Sequence, residues 1–222
     1  MSIPVITIDG PSGTGKGTIT HRLAQFLGWH ILDSGALYRV VAVGAEQAGI
    51  PYSDITALSK YAESMDVNFP VDKPGQILLF GKNVAPQIRL EESGEKASQV
   101  AAIPEVRTAL LNRQLAFRVP PGLVADGRDM GTVVFPDAIV KFFLTASAEE
   151  RANRRHKQLI NKGVCVSLPA LLGDIQARDE RDSTRTISPL KPAKDAITID
   201  TTDIGVEQVL ELVIAHVTKH IT

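Results

Sequence analysis

Residues Gly10-Pro11-Ser12-Gly13-Thr14-Gly15-Lys16-Gly17-Thr18 lie between an apolar run, Pro4-Val5-Ile6-Thr7-Ile8, and an amphipathic stretch. A glycine-rich loop that ends a buried strand and opens a helix is the setting in which this pattern binds phosphate. Gly10, Gly13, Gly15 and Gly17 admit positive φ values, which let backbone N–H groups curl around an anion. The helix expected from Lys16 adds its positive N-terminal dipole. Lys16 supplies a mobile full charge for β- and γ-phosphates, and the Thr18 hydroxyl is placed to help hold phosphate or Mg²⁺. The general pattern has Ser or Thr directly after the lysine, whereas here Gly17 intervenes. An ordinary glycine-rich turn needs neither the lysine nor the flanking strand and helix. The stretch from Gly10 to Thr18 is therefore read as a nucleotide-binding P-loop.

The rest of the chain alternates strand and helix signals. Strand Val5–Asp9 and helix Lys16–Leu27 are followed by a short strand at His30-Ile31-Leu32 and a helix from Ala36 towards Ala48, stopped by Gly49-Ile50-Pro51. Another helix is expected from Asp54 to Ser64. Between Met65 and Ile88, Val67/Phe69 and the run Ile77-Leu78-Leu79-Phe80 alternate with Pro70, Pro74-Gly75 and Gly81-Lys82-Asn83, which reads as a small antiparallel β insert. Helices are expected at Glu91–Ala102 and Glu105–Arg118. Buried strands follow at Gly122–Asp126, Ile139–Leu144 and Ala196–Asp200, with helices at Ser147–Asn161, Pro169–Arg181 and Val206–His220. The implied class is α/β: a parallel sheet covered by helices on both faces, with ligands beyond the carboxyl ends of its strands.

Arginines cluster where such a sheet would meet its ligands. Arg178, Arg181, Asp182 and Arg185 share a helical face if the helix runs that far, and Arg151, Arg154 and Arg155 form a second triplet. Arg39 lies one turn after Gly35, and Arg128 follows the strand ending at Asp126. A solvated face with pairs such as Glu150–Arg154 is the plainer reading of either triplet alone. Four basic positions at element ends around one P-loop favour a second phosphate-bearing ligand, because guanidinium forks match its oxygen edges. With Lys+Arg 24 against Asp+Glu 25, the net charge of −1 offers no global field for nucleic acid or membrane. No apolar run is long enough to span a bilayer, and a strand beginning so near the N-terminus leaves no room for a signal peptide. The lone Cys165 excludes an internal disulfide framework and fits a cytoplasmic location.

Missing motifs narrow the chemistry. There is no Asn-Lys-x-Asp guanine pattern, no His-Arg-Asp catalytic loop and no Ser, His and Asp trio at workable positions. A phosphotransferase whose acceptor is itself a phosphate needs no general base, since a monoester loses its second proton at a pKa of about 6. Such a protein has only to neutralise, align and exclude water.

Five blocks carry a family resemblance: the P-loop itself, Leu32-Asp33-Ser34-Gly35-Ala36-Leu37-Tyr38-Arg39, Ala97-Ser98-Gln99-Val100-Ala101, Ala125 through Pro136 (with Asp126-Gly127-Arg128-Asp129-Met130-Gly131-Thr132), and Arg178-Asp179-Glu180-Arg181-Asp182. In order and over nearly the whole chain, they resemble the bacterial cytidylate kinases, β insert included. The resemblance implies transfer of the γ-phosphoryl group of ATP to CMP or dCMP, with Mg²⁺, in a monomer. It also implies one kinase domain comprising a core (about 1–35, 105–147 and 182–222), a monophosphate-binding region with the β insert (about 36–104) and a helical lid (about 148–181). Residue by residue, Arg39, Arg128 and Arg185 would grip the monophosphate. Ser98, Arg107 and Asp129 would read cytosine, with Ser34 and Tyr38 nearby, and Arg178 and Asp182 would contact the ribose. Arg154 or Arg155 would cover the transferring phosphoryl group. Asp126 stands where P-loop folds place an acidic Mg²⁺ partner, through water, with Thr18. Asp129 has a second reading, as a scaffold residue paired with an arginine such as Arg107. Another small-molecule kinase, a P-loop switch and a nucleic-acid-binding protein are the competing classes, in descending order.

Overall fold

The computed structural model describes residues 2–69 and 76–221. The chain opens with β1 (Val5–Asp9), α1 (Lys16–Leu27), β2 (His30–Asp33), α2 (Ser34–Gln47) and α3 (Ile55–Ser64). Three two-residue strands follow, β3 (Val67–Asn68), β4 (Leu78–Leu79) and β5 (Lys82–Asn83), then α4 (Ala85–Ile88), α5 (Glu91–Val100) and α6 (Pro104–Leu115). The remainder is β6 (Leu123–Gly127), a π-helical turn at Met130–Val134, β7 (Val140–Thr145), α7 (Ala148–Ile160), α8 (Leu168–Thr184), β8 (Ile197–Asp200) and α9 (Val206–Val217). These elements form two compact units. One holds the chain up to Asp33 and from Leu115 onward; the other is Ser34–Gln114.

The first unit is built on a five-stranded parallel sheet in the order β2-β6-β1-β7-β8. All five residues of β1 are buried, as expected of a central strand covered on both faces. Ile6, Ile8, Val124, Phe142, Leu144 and Ile199 form one apolar layer with Ile19, Leu23 and Ala24 of α1 and Val209, Val213 and Val217 of α9. Val5, Leu123 and Ala125, whose side chains alternate to the opposite face, are equally buried. Gly15 begins α1 at φ 92°, and Gly28 ends it at φ 67°, its N–H returning to the Ala24 carbonyl. At the start of α7, Ser147 accepts from the Glu150 N–H at 3.2 Å, with Glu149 and Glu150 in the first turn complementing the helix dipole.

The second unit holds the buried helix α2 and an antiparallel sheet in the order β3-β4-β5. The insert was expected with Ile77–Phe80 as one strand and Gly81-Lys82-Asn83 as its turn. Instead, the chain reverses within two residues, Phe80 (φ 47°) and Gly81 (φ 76°), and Lys82–Asn83 pairs back onto Leu78–Leu79. Two consecutive positive φ values match the right-handed twist of the flanking strands, which is why so tight a hairpin closes here. The expected turn residues Pro70, Pro74 and Gly75 lie outside the described residues.

Phe142 is 1% exposed at the centre of the main apolar layer, whereas Phe26 on α1 is 57% exposed. Phe142→Ala should lose about 3–5 kcal/mol in urea unfolding, by transfer and cavity terms together. Phe26→Ala should stay within about 0.5 kcal/mol of the parent.

Candidate active site

Parallel pairing aligns Ile8 with Asp126 and Asp9 with Gly127, so the loop after β1 and the loop after β6 leave the sheet at the same edge. The first of these is the glycine-rich loop. Gly10 (φ 144°), Gly13 (φ 82°) and Gly15 (φ 92°) take positive φ as expected, but Gly17 lies inside α1 and does not. At Gly10 any side chain would also run into the Leu144 carbonyl. Carbonyl groups of the loop are held from within the loop and from outside it. Pro11 accepts from Lys16 Nζ at 2.7 Å and from Thr14 Oγ1 at 3.2 Å, Ser12 from Arg151 Nη1 at 3.2 Å, and Thr14 from Thr201 Oγ1 at 3.3 Å. Fixing the acceptors in this way leaves the loop's N–H donors for an anion.

Lys16 is buried. Burial, helped by the positive charges of Arg128 and Arg178, lowers its ammonium to about 7, with Asp126 pulling the other way. Burial raises Asp126 in turn to about 6, against Lys16, and Asp33 adds to the rise. Thr18 is exposed on α1, and a Cβ at Gly17 would sit 3.6 Å from Asp126 Oδ2. On a helix, successive positions point about 100° apart, so it is Gly17 that faces this carboxylate. No group of three or more His, Cys, Asp or Glu among the described residues is arranged to hold a metal. A single hard carboxylate beside a phosphate loop suits a cation that keeps its waters and takes most of its ligands from substrate oxygens.

The second cluster surrounds Asp182. Arg128 Nε meets Asp182 Oδ2 at 3.0 Å, both side chains being largely buried. Burial alone would raise the Asp182 carboxyl, yet Arg128, Arg178 and Arg185 together hold it below the usual carboxylate range. Arg128 also feels the carboxylates of Asp126 and Asp179, so basic and acidic side chains are interleaved beside the loop that follows β6. Arg185 does not continue the helical face expected for it: α8 ends at Thr184, and Arg185 is extended (φ −60°, ψ 140°). Its Nε donates to the Ser188 carbonyl at 2.5 Å, which aims the side chain by the loop and not by helical spacing.

The remaining arginine triplet is engaged with the scaffold. Arg151, 4% exposed, makes a two-pronged ion pair with Asp179 and also donates to the Ala146 carbonyl. Arg154 pairs with Glu150 at 2.8 Å and donates to the hydroxyl and carbonyl of Thr201. Arg155 donates to Gln158 at 3.2 Å. Thr201 was not singled out in the sequence. It is buried at the end of β8 and links Arg154, the Thr145 carbonyl and the P-loop. Nothing in a lone threonine after a strand announces this. Asp9 was also passed over, although an acidic residue closing an otherwise uncharged buried strand was a readable signal. Its carboxylate accepts from the N–H of Met130 at 2.9 Å and of Gly131 at 2.8 Å. Burial nevertheless lifts it to about 7. Asp129, between Arg128 and that turn, is buried.

In the second unit, Arg107 is buried with its guanidinium 5.5 Å from the centre of the Tyr38 ring, and donates to the Ala101 carbonyl at 3.1 Å. Ser34 Oγ donates to Gln114 Oε1 at 2.8 Å. Arg39 Nη1 donates to the Ile88 carbonyl at 2.8 Å, and Ser98 is buried on α5.

At pH 8 a lysine lowered to about 7 is largely neutral, while Asp126, raised to about 6, is already ionised. A triphosphate beside Lys16 restores the ammonium. Its binding at pH 8 should therefore take up protons, up to about one, and the uptake should fade towards pH 6. Calorimetry in buffers of different ionisation enthalpy measures this, with Lys16→Met as the control that abolishes it.

A family model described as cytidylate kinase matches residues 6–219. The cytidylate kinase of Pseudomonas entomophila (strain L48) is 58% identical over 94% of this chain and 92% of its own length. Those of Stutzerimonas stutzeri (strain A1501) and Pseudomonas syringae pv. tomato (strain ATCC BAA-871 / DC3000) are 56% and 57% identical, over 97% and 98% of this chain and 95% and 96% of theirs. With a match that begins inside β1 and ends beyond α9, the chain belongs to the cytidylate kinase family.

Proposed function

We propose that the protein transfers the γ-phosphoryl group of ATP to CMP or dCMP, giving ADP and CDP or dCDP. The observation that carries this reading is the pairing of two anion-binding features at one sheet edge: the P-loop with Lys16 after β1, and Arg128 with its neighbours Arg178 and Arg185 after β6. One suits the triphosphate and the other a monophosphate. The terminal P–O bond of ATP breaks as an oxygen of the CMP phosphate bonds to the same phosphorus. Lys16 follows the charge that moves onto the leaving β-phosphate. Because the CMP phosphate is already ionised at neutral pH, with its second pKa at about 6, no side chain has to act as a general base. Positioning and electrostatic stabilisation then supply the rate.

Mg²⁺ fits Asp126, which would hold it through bound water while the phosphates furnish the other oxygens. When bound, it would neutralise the polyphosphate and align its oxygens. Residues 148–181 are assigned as the lid; Arg154 and Arg155 would exchange their present partners for the transferring group. Arg39 and Arg185 are assigned to the monophosphate with Arg128, and Arg178 and Asp182 to the ribose. Ser98, Arg107 and Asp129 are assigned to cytosine, with Ser34 and Tyr38 beside them. The buried state of Asp129, Ser98 and Arg107 supports base reading, since polar side chains withdrawn from water discriminate strongly between hydrogen-bonding partners. We assign a monomer working in the cytoplasm on free nucleotides. No helix among the described residues is long and apolar enough to cross a membrane.

ADP release coupled to CMP, UMP, AMP and shikimate tests the reading, with CMP expected to be turned over fastest. The Asp129 side chain would accept a hydrogen bond from the cytosine amino group, which the uracil carbonyl cannot donate. Asp129→Asn should therefore lower the CMP/UMP ratio of kcat/KM by at least about tenfold. A constant ratio with both activities reduced would leave Asp129 as scaffolding.

A further inference from the structure

Asp9 lies one residue before the P-loop and is 5% exposed. Its two oxygens are used separately: Oδ1 accepts the Met130 N–H at 2.9 Å, and Oδ2 the Gly131 N–H at 2.8 Å. Those two peptide groups directly follow Arg128 and Asp129 in the chain. The same turn is closed from its other end, where the Asp129 carbonyl accepts from Val133 at 2.9 Å and from Val134 at 3.2 Å. Asp129 is thus fixed on both sides, by its own carbonyl within the turn and by the N–H groups that follow it.

We propose that Asp9 is a positioning residue for the acceptor nucleotide: by holding the N–H groups of Met130 and Gly131, it sets where Arg128 and Asp129 stand relative to the P-loop. A carboxylate is the side chain that can do this, because it offers two acceptors and no donor to two adjacent N–H groups. Asparagine offers one acceptor, and its amino group would face a peptide N–H. Gly131 supplies the complementary half of the joint. A Cβ there would lie 2.8 Å from Thr7 Oγ1 and 3.2 Å from Lys141 Cδ, so any side chain at this position must push the turn or these neighbours away from β1. Rigid coupling matters because the reaction is in line: a small displacement of the attacking phosphate relative to the P-loop misaligns it. Asp9 touches no substrate in this scheme and acts through the backbone.

The inference rests on the assignment of Arg128 and Asp129 to CMP, and the two are tested separately. The Asp129→Asn ratio decides that assignment; the change between wild type and the Asp9 and Gly131 variants decides this one. Asp9→Asn should raise KM for CMP by about tenfold and lower the CMP/UMP ratio of kcat/KM, while the Kd for ATP measured without CMP changes by less than about twofold. Gly131→Ala, which lifts the turn without altering Asp9, should give the same split, and it carries the test alone if Asp9→Asn does not fold. The double variant should cost much less than the product of the two single effects, because both break one joint. The proposal is overturned if folded variants lose ATP and CMP affinity equally, if KM for CMP and the CMP/UMP ratio stay at the wild-type values, or if the two effects multiply.

Discussion

Adjacent parallel strands β1 and β6, in the register that sets Asp9 beside Gly127, are the constraint on which the rest of the first unit depends. A parallel pair sends both of its outgoing loops to the same edge, and these two loops carry the P-loop and the Arg128-Asp129 segment. Because side chains alternate along a strand, a slip of one residue would turn Asp9 and Asp126 to the opposite faces. The register is defended by burial: Val5, Ile6, Ile8, Leu123, Val124 and Ala125 are all fully buried. Ordinary apolar packing thus holds charged groups at the edge, where packing alone would not place them.

That edge is electrostatically costly without ligand. Lys16 and Asp126 are each pushed towards neutrality by burial, while Arg128, Arg178 and Arg185 all act on the buried carboxylate of Asp182. Desolvated ions of this kind destabilise a fold unless they are paired. Arg151 with Asp179 and Arg154 with Glu150 are likewise paired within the protein.

Much of the fold was readable in sequence because it follows from local rules. The apolar run before Gly10, the glycines and Lys16 define strand, loop and helix within a short window. Apolar runs of strand length marked β6, β7 and β8 within a few residues of their observed ends. Less was readable wherever a residue takes its shape from distant neighbours. Phe80 at positive φ, the π-helical turn after Asp129 and the exit of Arg185 from α8 have no local signature. The approach of Gly17 on α1 to the Asp126 carboxylate, 3.6 Å from a Cβ there, is likewise set by tertiary packing.

The amino-acid sequence alone determined that this chain forms an α/β sheet with a phosphate loop, and that arginines gather near its strand ends. Periodicity, glycine backbone freedom and charge type are properties of the residues themselves and survive any arrangement of the whole. Tertiary structure decided which of those charges oppose and which are matched. It paired Arg128 with Asp182 and Arg151 with Asp179, tied Thr201 to the P-loop, and set the N–H groups of Met130 and Gly131 on Asp9. Each of these contacts joins residues far apart in the chain, and a hydrogen bond or ion pair depends on distances of a few tenths of an ångström that only the packed sheet and helices set.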